Sequence, residues 1–303
     1  RPEALEDQAT VPVPGTRIAV TTDSFVVRPL FFPGGDIGKL AVCGSVNDLA
    51  VGGARPLYLA AAFILEEGLP IDDLRRIAQS MRRACDEAEI RLVTGDTKVV
   101  DKGKGDGVFI TTTAVGAVPE GCALSIASAR PGDAILVSGT LGDHGVAILS
   151  VREGIDFETP LLSDCAPITG LAQAALAAGR VRCMRDPTRG GLSSALNELA
   201  QASRVGIELD EARIPLKDEV RGACEMLGLD PLYVACEGRL VASVAKEDEA
   251  RVLAALRAHA HGRDAAVVGR VVAEHPGFVT VRSLVGGERV LPMLAGEQLP
   301  RIC

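Results

Sequence analysis

Three aspartates in the first hundred residues have the setting of a site for a hard metal ion. Asp23 ends a strand-like run that starts at Arg17, and Asp48 follows Asn47 inside a helix expected to begin near Ile37. Asp96 lies in Gly95-Asp96-Thr97-Lys98, directly after a strand expected to end at Thr94. Carboxylates gathered near one sheet edge hold magnesium, which prefers oxygen ligands and keeps some of its waters for exchange with phosphate. Lys98 would then face a phosphate as a point charge. Singly, each aspartate is better explained as a turn or cap residue; the three together favour a metal-nucleotide site.

The second half adds anion chemistry. Arg185-Asp186-Pro187-Thr188-Arg189-Gly190-Gly191 precedes a helix with an apolar stripe of Leu192, Leu196 and Leu199. Glycines opening a helix expose N–H groups at its positive end, where an anion can bind with help from Arg189. Leu141-Gly142-Asp143-His144-Gly145 also opens a helix, and His144 is a donor to phosphate or an acid-base group, or a structural histidine. Glu237, between Cys236 and Gly238 at a strand entrance, is a candidate general base. The sequence ends in Pro-Arg-Ile-Cys, and a thiol at Cys303 on a Gly- and Pro-punctuated segment suits a group carried from place to place, the alternative being an inert cysteine on a frayed end.

These residues need elements to hold them. Strands are expected at 17–20, 57–65, 91–94 and 108–118, with helices at 37–50 and 72–88, the second showing a 3.6-residue period with Asp72 as N-cap. A turn signal at Arg130-Pro131-Gly132-Asp133 marks a domain boundary. Beyond it, strands are expected at 134–138, 239–245, 265–272 and 278–284, and helices at 142–153, 167–178, 191–203 and 247–260. The expected organisation is an N-terminal α/β domain over 1–130, a C-terminal α/β domain over 131–285, and a mobile tail over 286–303.

Composition excludes several classes. The chain has 303 residues, 47% of them hydrophobic and 24% charged, with a net charge of −8 and no basic block, which disfavours a nucleic-acid partner. No apolar run reaches the length of a membrane span and no signal peptide is evident, so a cytoplasmic location is expected. The eight cysteines show neither a CxxC pair nor Cys-His zinc spacing. The first residue is Arg1 rather than Met, which suggests a trimmed start.

Taken in order, Thr-Asp-Ser-Phe (22–25 within Thr21–Phe25), Phe-Pro-Gly-Gly-Asp-Ile-Gly-Lys-Leu-Ala-Val (32–42), Val-Asn-Asp-Leu-Ala (46–50), Thr-Gly-Asp-Thr-Lys-Val-Val (94–100), Ser-Gly-Thr-Leu-Gly-Asp-His-Gly (138–145), Asp-Pro-Thr-Arg-Gly-Gly (186–191) and Pro-Arg-Ile-Cys resemble the HypE family of hydrogenase maturation factors, the carbamoyl dehydratases. Several motifs are shared with the wider superfamily of aminoimidazole ribonucleotide synthetase, thiamine monophosphate kinase and selenophosphate synthetase. The ending Pro-Arg-Ile-Cys is specific to HypE.

The resemblance implies a two-domain mixed α/β fold of the aminoimidazole ribonucleotide synthetase (PurM-like) type, a homodimer joined through the N-terminal sheets, and ATP with magnesium between the domains. The implied reaction starts when the carbamoyl transferase HypF loads Cys303. ATP-dependent dehydration of the thiocarboxamide then gives a thiocyanate, whose cyanide passes to iron on a HypC-HypD scaffold for the nickel-iron hydrogenase. On that basis Asp23, Asp48, Asp96 and Asp186 are assigned to metal or nucleotide, with Asn47, His144 and Gly190 in support. Lys98 and Arg189 stabilise phosphate, Glu237 is the base and Cys303 the carrier. The family generally begins with a glycine-rich arm that closes over ATP, and none precedes Asp23, so a longer chain is expected to bind ATP more tightly. The rival readings are a small-molecule kinase or synthetase of the superfamily, and a non-catalytic scaffold binding a soft metal through Cys303.

Overall fold

The structure, a computed structural model, describes residues 9–13, 16–155, 161–296 and 302–303. The N-terminal half runs β1 (Ala9–Val13), β2 (Thr16–Phe25), β3 (Phe31–Phe32), β4 (Gly35–Asp36), α1 (Ile37–Val51), β5 (Arg55–Glu66), α2 (Ile71–Glu87), β6 (Arg91–Val100) and β7 (Val108–Val118). Its five-stranded sheet has the order β1-β2-β7-β5-β6, so β6 is an edge strand. The C-terminal half runs β8 (Ala134–Val137), α3 (Asp143–Glu153), α4 (Thr169–Ala178), β9 (Val181–Arg185), α5 (Gly191–Ser203), β10 (Gly206–Asp210), α6 (Asp218–Leu227), β11 (Val241–Val244), α7 (Glu249–Ala258), β12 (Ala266–Val272), β13 (Val279–Arg282) and β14 (Glu288–Val290). A seven-stranded sheet of order β14-β13-β10-β12-β8-β11-β9 organises it.

Helix α1 joins the two halves. Asp36 caps it by accepting from the Gly38 and Lys39 N–H groups at 2.8 and 3.2 Å. Nearly every residue from Ile37 to Val51 is buried, which no one-sided stripe could achieve. One core holds Leu40, Val42 and Val46 of α1 together with Ile148, Ala235 and Ile302, and another holds Ala50 and Val51 with Leu136 and Leu171. The hydrophobic core is therefore continuous across the joint.

Three expectations need correction. Helix α2 starts at Ile71 with Pro70 in the cap position and no side-chain cap, while Asp72 and Asp73 sit in the first turn, where acidic groups suit the helix dipole. Strand β6 does not end at Thr94 but continues to Val100, paired in parallel with β5. The segment after 286 does not leave the domain at once: β14 pairs with β13, Leu291 is buried, and the Leu291 and Pro292 carbonyls accept from Asn197 and Ser193 at 2.9 and 2.8 Å. The expected tail is thus anchored as far as Pro292, and residues 297–301 lie outside the described residues.

Candidate active site

The longer β6 changes where two expected site residues face. Asp23 pairs with Thr112 of β7, which pairs with Ala61 of β5, which pairs with Gly95; this row faces α1, where the Ser45 hydroxyl reaches Asp23 at 3.3 Å and Thr112 at 2.7 Å. Asp96 belongs to the neighbouring row with Ala62, Thr111 and Ser24. Successive residues of a strand point to opposite faces. Asp96, and Lys98 two residues on, therefore occupy the open face of the sheet at its exposed edge. A single chain does not bring them to Asp23.

The other expected residues do converge. Asp48 accepts the Thr21 hydroxyl at 2.6 Å and lies within hydrogen-bonding reach of the Asp23 carboxyl. Asp186, buried at the end of β9, feels the charge of Asp23, and burial lifts its pKa to about 6. Burial raises Asp23 as well, against the Ser45 hydrogen bond and the Arg189 guanidinium. Glu237 is 2% exposed, and its Oε1 has no hydrogen-bond partner among the described residues. Burial, then Cys165, Asp186, Asp164 and Asp23, push its carboxyl well above the usual range. A buried carboxyl with an upward-displaced pKa and an unpartnered oxygen, beside a cluster of acids, is a poised acid-base group.

Cys303 completes the cluster. Its thiol hydrogen-bonds Arg189 and lies near Glu237 and Asp23, while burial drives its pKa up to about 12. Its main-chain oxygen accepts the Val26 N–H at 3.4 Å. The sulfur is thus seated in the chain's own cleft, protonated and beside the candidate base. A hollow of about 950 Å³ lies elsewhere, at a seam lined by Arg55, Leu124, Arg130 and Arg182. We place the chemistry at the acid-lined cleft because the perturbed groups and the thiol meet there and not at the seam.

Helix α5 points its start at this cleft. Gly190 takes φ +77°, and a Cβ there would lie 2.0 Å from Ser194 Oγ, so the tight entry needs glycine. Asn47 and His144 are engaged elsewhere. Asn47 donates to the Ala166 and Glu237 carbonyls at 3.1 and 3.0 Å and accepts from the Ile168 N–H at 2.9 Å, which uses its whole amide on backbone of the other domain. His144 has both ring nitrogens bound, to Ser163 and to the Ile302 carbonyl. In this arrangement the polar atoms of both side chains are engaged by protein groups.

Sequence reasoning did not find Asp164 and Arg239. Asp164 accepts the Glu237 N–H at 3.1 Å, and Arg239 lies 3.5 Å from Asp164 and 3.5 Å from Asp143, which is also paired with Lys217 at 2.8 Å. The Glu237 peptide is therefore fixed on both sides, by Asp164 at its N–H and Asn47 at its carbonyl. The only local sign was an arginine two residues after Glu237.

Residues 5–118 match the family described as AIR synthase related protein, N-terminal domain, and residues 130–282 its C-terminal domain. The chain is 59% identical over 298 residues to the carbamoyl dehydratase HypE of Azotobacter vinelandii, covering 98% of this chain and 87% of that protein. It is 48% identical over 301 residues to HypE of Escherichia coli K12, covering 99% and 89%. A crystal structure of the hydrogenase maturation protein HypE in complex with ATP superposes with a TM-score of 0.92 at 46% identity, covering 100% of this chain and 92% of that one. A HypE-HypF complex gives 0.91 at 46%, covering 96% and 94%. The domain order, the cleft between the sheets and these identities along the whole chain agree: it belongs to the AIR synthase related (PurM-like) family and, within it, to the HypE carbamoyl dehydratases.

Proposed function

We infer that this chain uses ATP to dehydrate an S-carbamoyl group on Cys303 to a thiocyanate, the source of the cyanide ligand in hydrogenase maturation. The observation that carries this reading is the seating of Cys303 between Glu237 and Arg189, at the edge of the Asp23-Asp48-Asp186 cluster. An amide oxygen is a poor leaving group as hydroxide. Transfer of the ATP γ-phosphoryl to that oxygen makes it a phosphate ester, and phosphate then departs. The nitrogen loses one proton as the oxygen takes phosphate and the second as phosphate leaves, which gives the carbon–nitrogen triple bond. Glu237, held at both peptide groups, is placed to take a proton from that nitrogen, and Arg189 to face the phosphoryl charge.

Magnesium fits the donor set. Asp23, Asp48 and Asp186 offer oxygen only, the ligand type magnesium prefers, and the ion would take one or two of these carboxylates and complete its shell with phosphate and water. Bound there, it would supply charge neutralisation for the phosphates. Asp96 and Lys98 join the reaction only if a second copy packs its sheet against this one; the exposed Tyr58 and Ile64 of β5, on the same face as Asp96 and Lys98, support such a homodimer. HypF is the proposed loading partner and a HypC-HypD scaffold the acceptor. No helix among the described residues is long and apolar enough to cross a membrane.

The test is mass spectrometry of the C-terminal peptide after incubation with HypF, its carbamoyl donor and ATP, with and without magnesium. Carbamoylation of Cys303 followed by ATP- and magnesium-dependent loss of water is expected. An unmodified Cys303 with demonstrably active HypF refutes the reading and favours a small-molecule kinase.

A further inference from the structure

The Gly142-Asp143-His144-Gly145 motif surrounds a seat for the residue before the carrier cysteine. Because the Ile302 carbonyl can only accept, Nε2 of His144 carries the proton and donates to it at 2.8 Å. Nδ1 therefore accepts the Ser163 hydroxyl at 2.8 Å. Ser163 is itself tied down: its Oγ accepts from the Cys165 N–H at 3.1 Å and its N–H donates to the Pro33 carbonyl at 2.9 Å. Gly34, at φ +90°, lets that hairpin approach, since a Cβ would lie 2.8 Å from the Ser163 backbone. The Phe32 ring meets the imidazole edge-on with centroids 5.4 Å apart, and burial lowers the His144 pKa, so the ring stays neutral and the tautomer is fixed.

The side chain of Ile302 is read as well as its backbone. It is 5% exposed and lies in the shared core. A Cβ at Gly145 would come within 3.3 Å of Ile302 Cδ1 and 2.3 Å of Val234 Cγ1, so the seat exists because position 145 has no side chain. One residue further on, the sulfur reaches Arg189 and Glu237.

We propose that His144, backed by Ser163, and the apolar seat formed by Gly145 and Val234 are a receptor for Ile302 that latches the tail and sets the Cys303 sulfur against Glu237. This rests on the reading of Cys303 as carrier. His144 touches the tail backbone and not the reacting atoms, so it is a positioning residue, and its ring serves the tail rather than a phosphate. The latch opens when an outside transferase loads the thiol and closes for dehydration. Weakening it therefore has opposite effects on the two states: the thiol becomes more accessible and dehydration becomes slower.

The experiment measures iodoacetamide labelling of Cys303 in the resting protein, read on the C-terminal peptide, for Ile302→Ala, His144→Ala and Ser163→Ala. Loss of one hydrogen bond or of the isoleucine branch is expected to raise the labelling rate by about tenfold. Single-turnover dehydration of protein carbamoylated beforehand should fall by a similar factor with ATP affinity unchanged, and Ile302→Val should restore most of both. Ile302→Ala lies outside the folded domains' strands and helices, so it reports even where His144→Ala fails to fold. Wild-type labelling rates in Ile302→Ala overturn the latch, as does a His144→Ala protein that loses ATP affinity while its labelling is unchanged. Faster labelling in the variants of a protein that never dehydrates its carbamoyl group supports the latch and refutes the carrier reading instead.

Discussion

Replacing Asn47 by Ala separates two roles that its place beside Asp48 made equally reasonable. The side chain is 1% exposed and makes three hydrogen bonds between 2.9 and 3.1 Å, two to carbonyls and one from an N–H. All three partners are backbone groups of the C-terminal domain. Truncation leaves each of them buried, at about 1–3 kcal/mol apiece, and water entering the vacated space recovers part of that. A net loss of about 4 kcal/mol is expected. With an unfolding entropy of about 2.1 cal/mol/K per residue, that lowers Tm by about 6 °C for a chain of 303 residues. The loss should appear in urea titration and in calorimetry without nucleotide. Because Asn47 also holds the Glu237 carbonyl, dehydration of the folded variant should slow while ATP affinity changes little. A stable Asn47→Ala protein with weakened ATP binding would refute the argument and return Asn47 to the nucleotide.

Cys303→Ala is expected to abolish thiocyanate formation while calorimetric ATP binding is retained; full turnover would remove the carrier. Glu237→Gln should accumulate the carbamoylated protein without dehydrating it. In the native protein burial displaces the Glu237 pKa upward, so the single-turnover rate should climb with pH as the base form is populated; a pH-independent rate contradicts the assignment. Asp186 binds its proton more tightly in the folded state, about 6 against 3.8, so its contribution to stability is complete below pH 4 and is lost as pH rises through 6. That amounts to up to about 3 kcal/mol, and Asp186→Asn should flatten this part of the magnesium-free urea stability profile. An unchanged pH dependence in the variant would show that Asp186 is not the group responsible.

Much of the site was legible because its residues sit on locally coded features. The apolar run after Asp36 specifies α1 and so positions Asp48, and Gly190-Gly191 followed by a leucine stripe specifies the start of α5. Asp96 and Lys98 were misread locally. Gly95 and Asp96 look like a strand end, but pairing with β5 overrides their low β-propensity and carries the strand on through Thr97 and Val99. That extension puts both side chains on the open face. The backbone partners of His144 and Asn47 were not legible for another reason: they lie 158 and 119 to 190 residues away, and no short-range pattern encodes which backbone group a buried polar side chain will meet. Asp164 is a single acid in an irregular segment and became visible only through the Glu237 N–H.

The burial of α1 on nearly every side sets how this molecule is able to move. Two-domain enzymes commonly admit a nucleotide by swinging about a hinge, which requires a joint that separates at small cost. Here the joint is the middle of a hydrophobic core and is crossed by the Asn47 bonds, so parting the domains would expose the interior itself. Domain closure is therefore a poor candidate for the gating step. On the latch proposed above, the displacement falls instead to Cys303, and turnover should be paced by how often its thiol exchanges between the cleft and a docked partner. The enzyme stays still and moves its substrate.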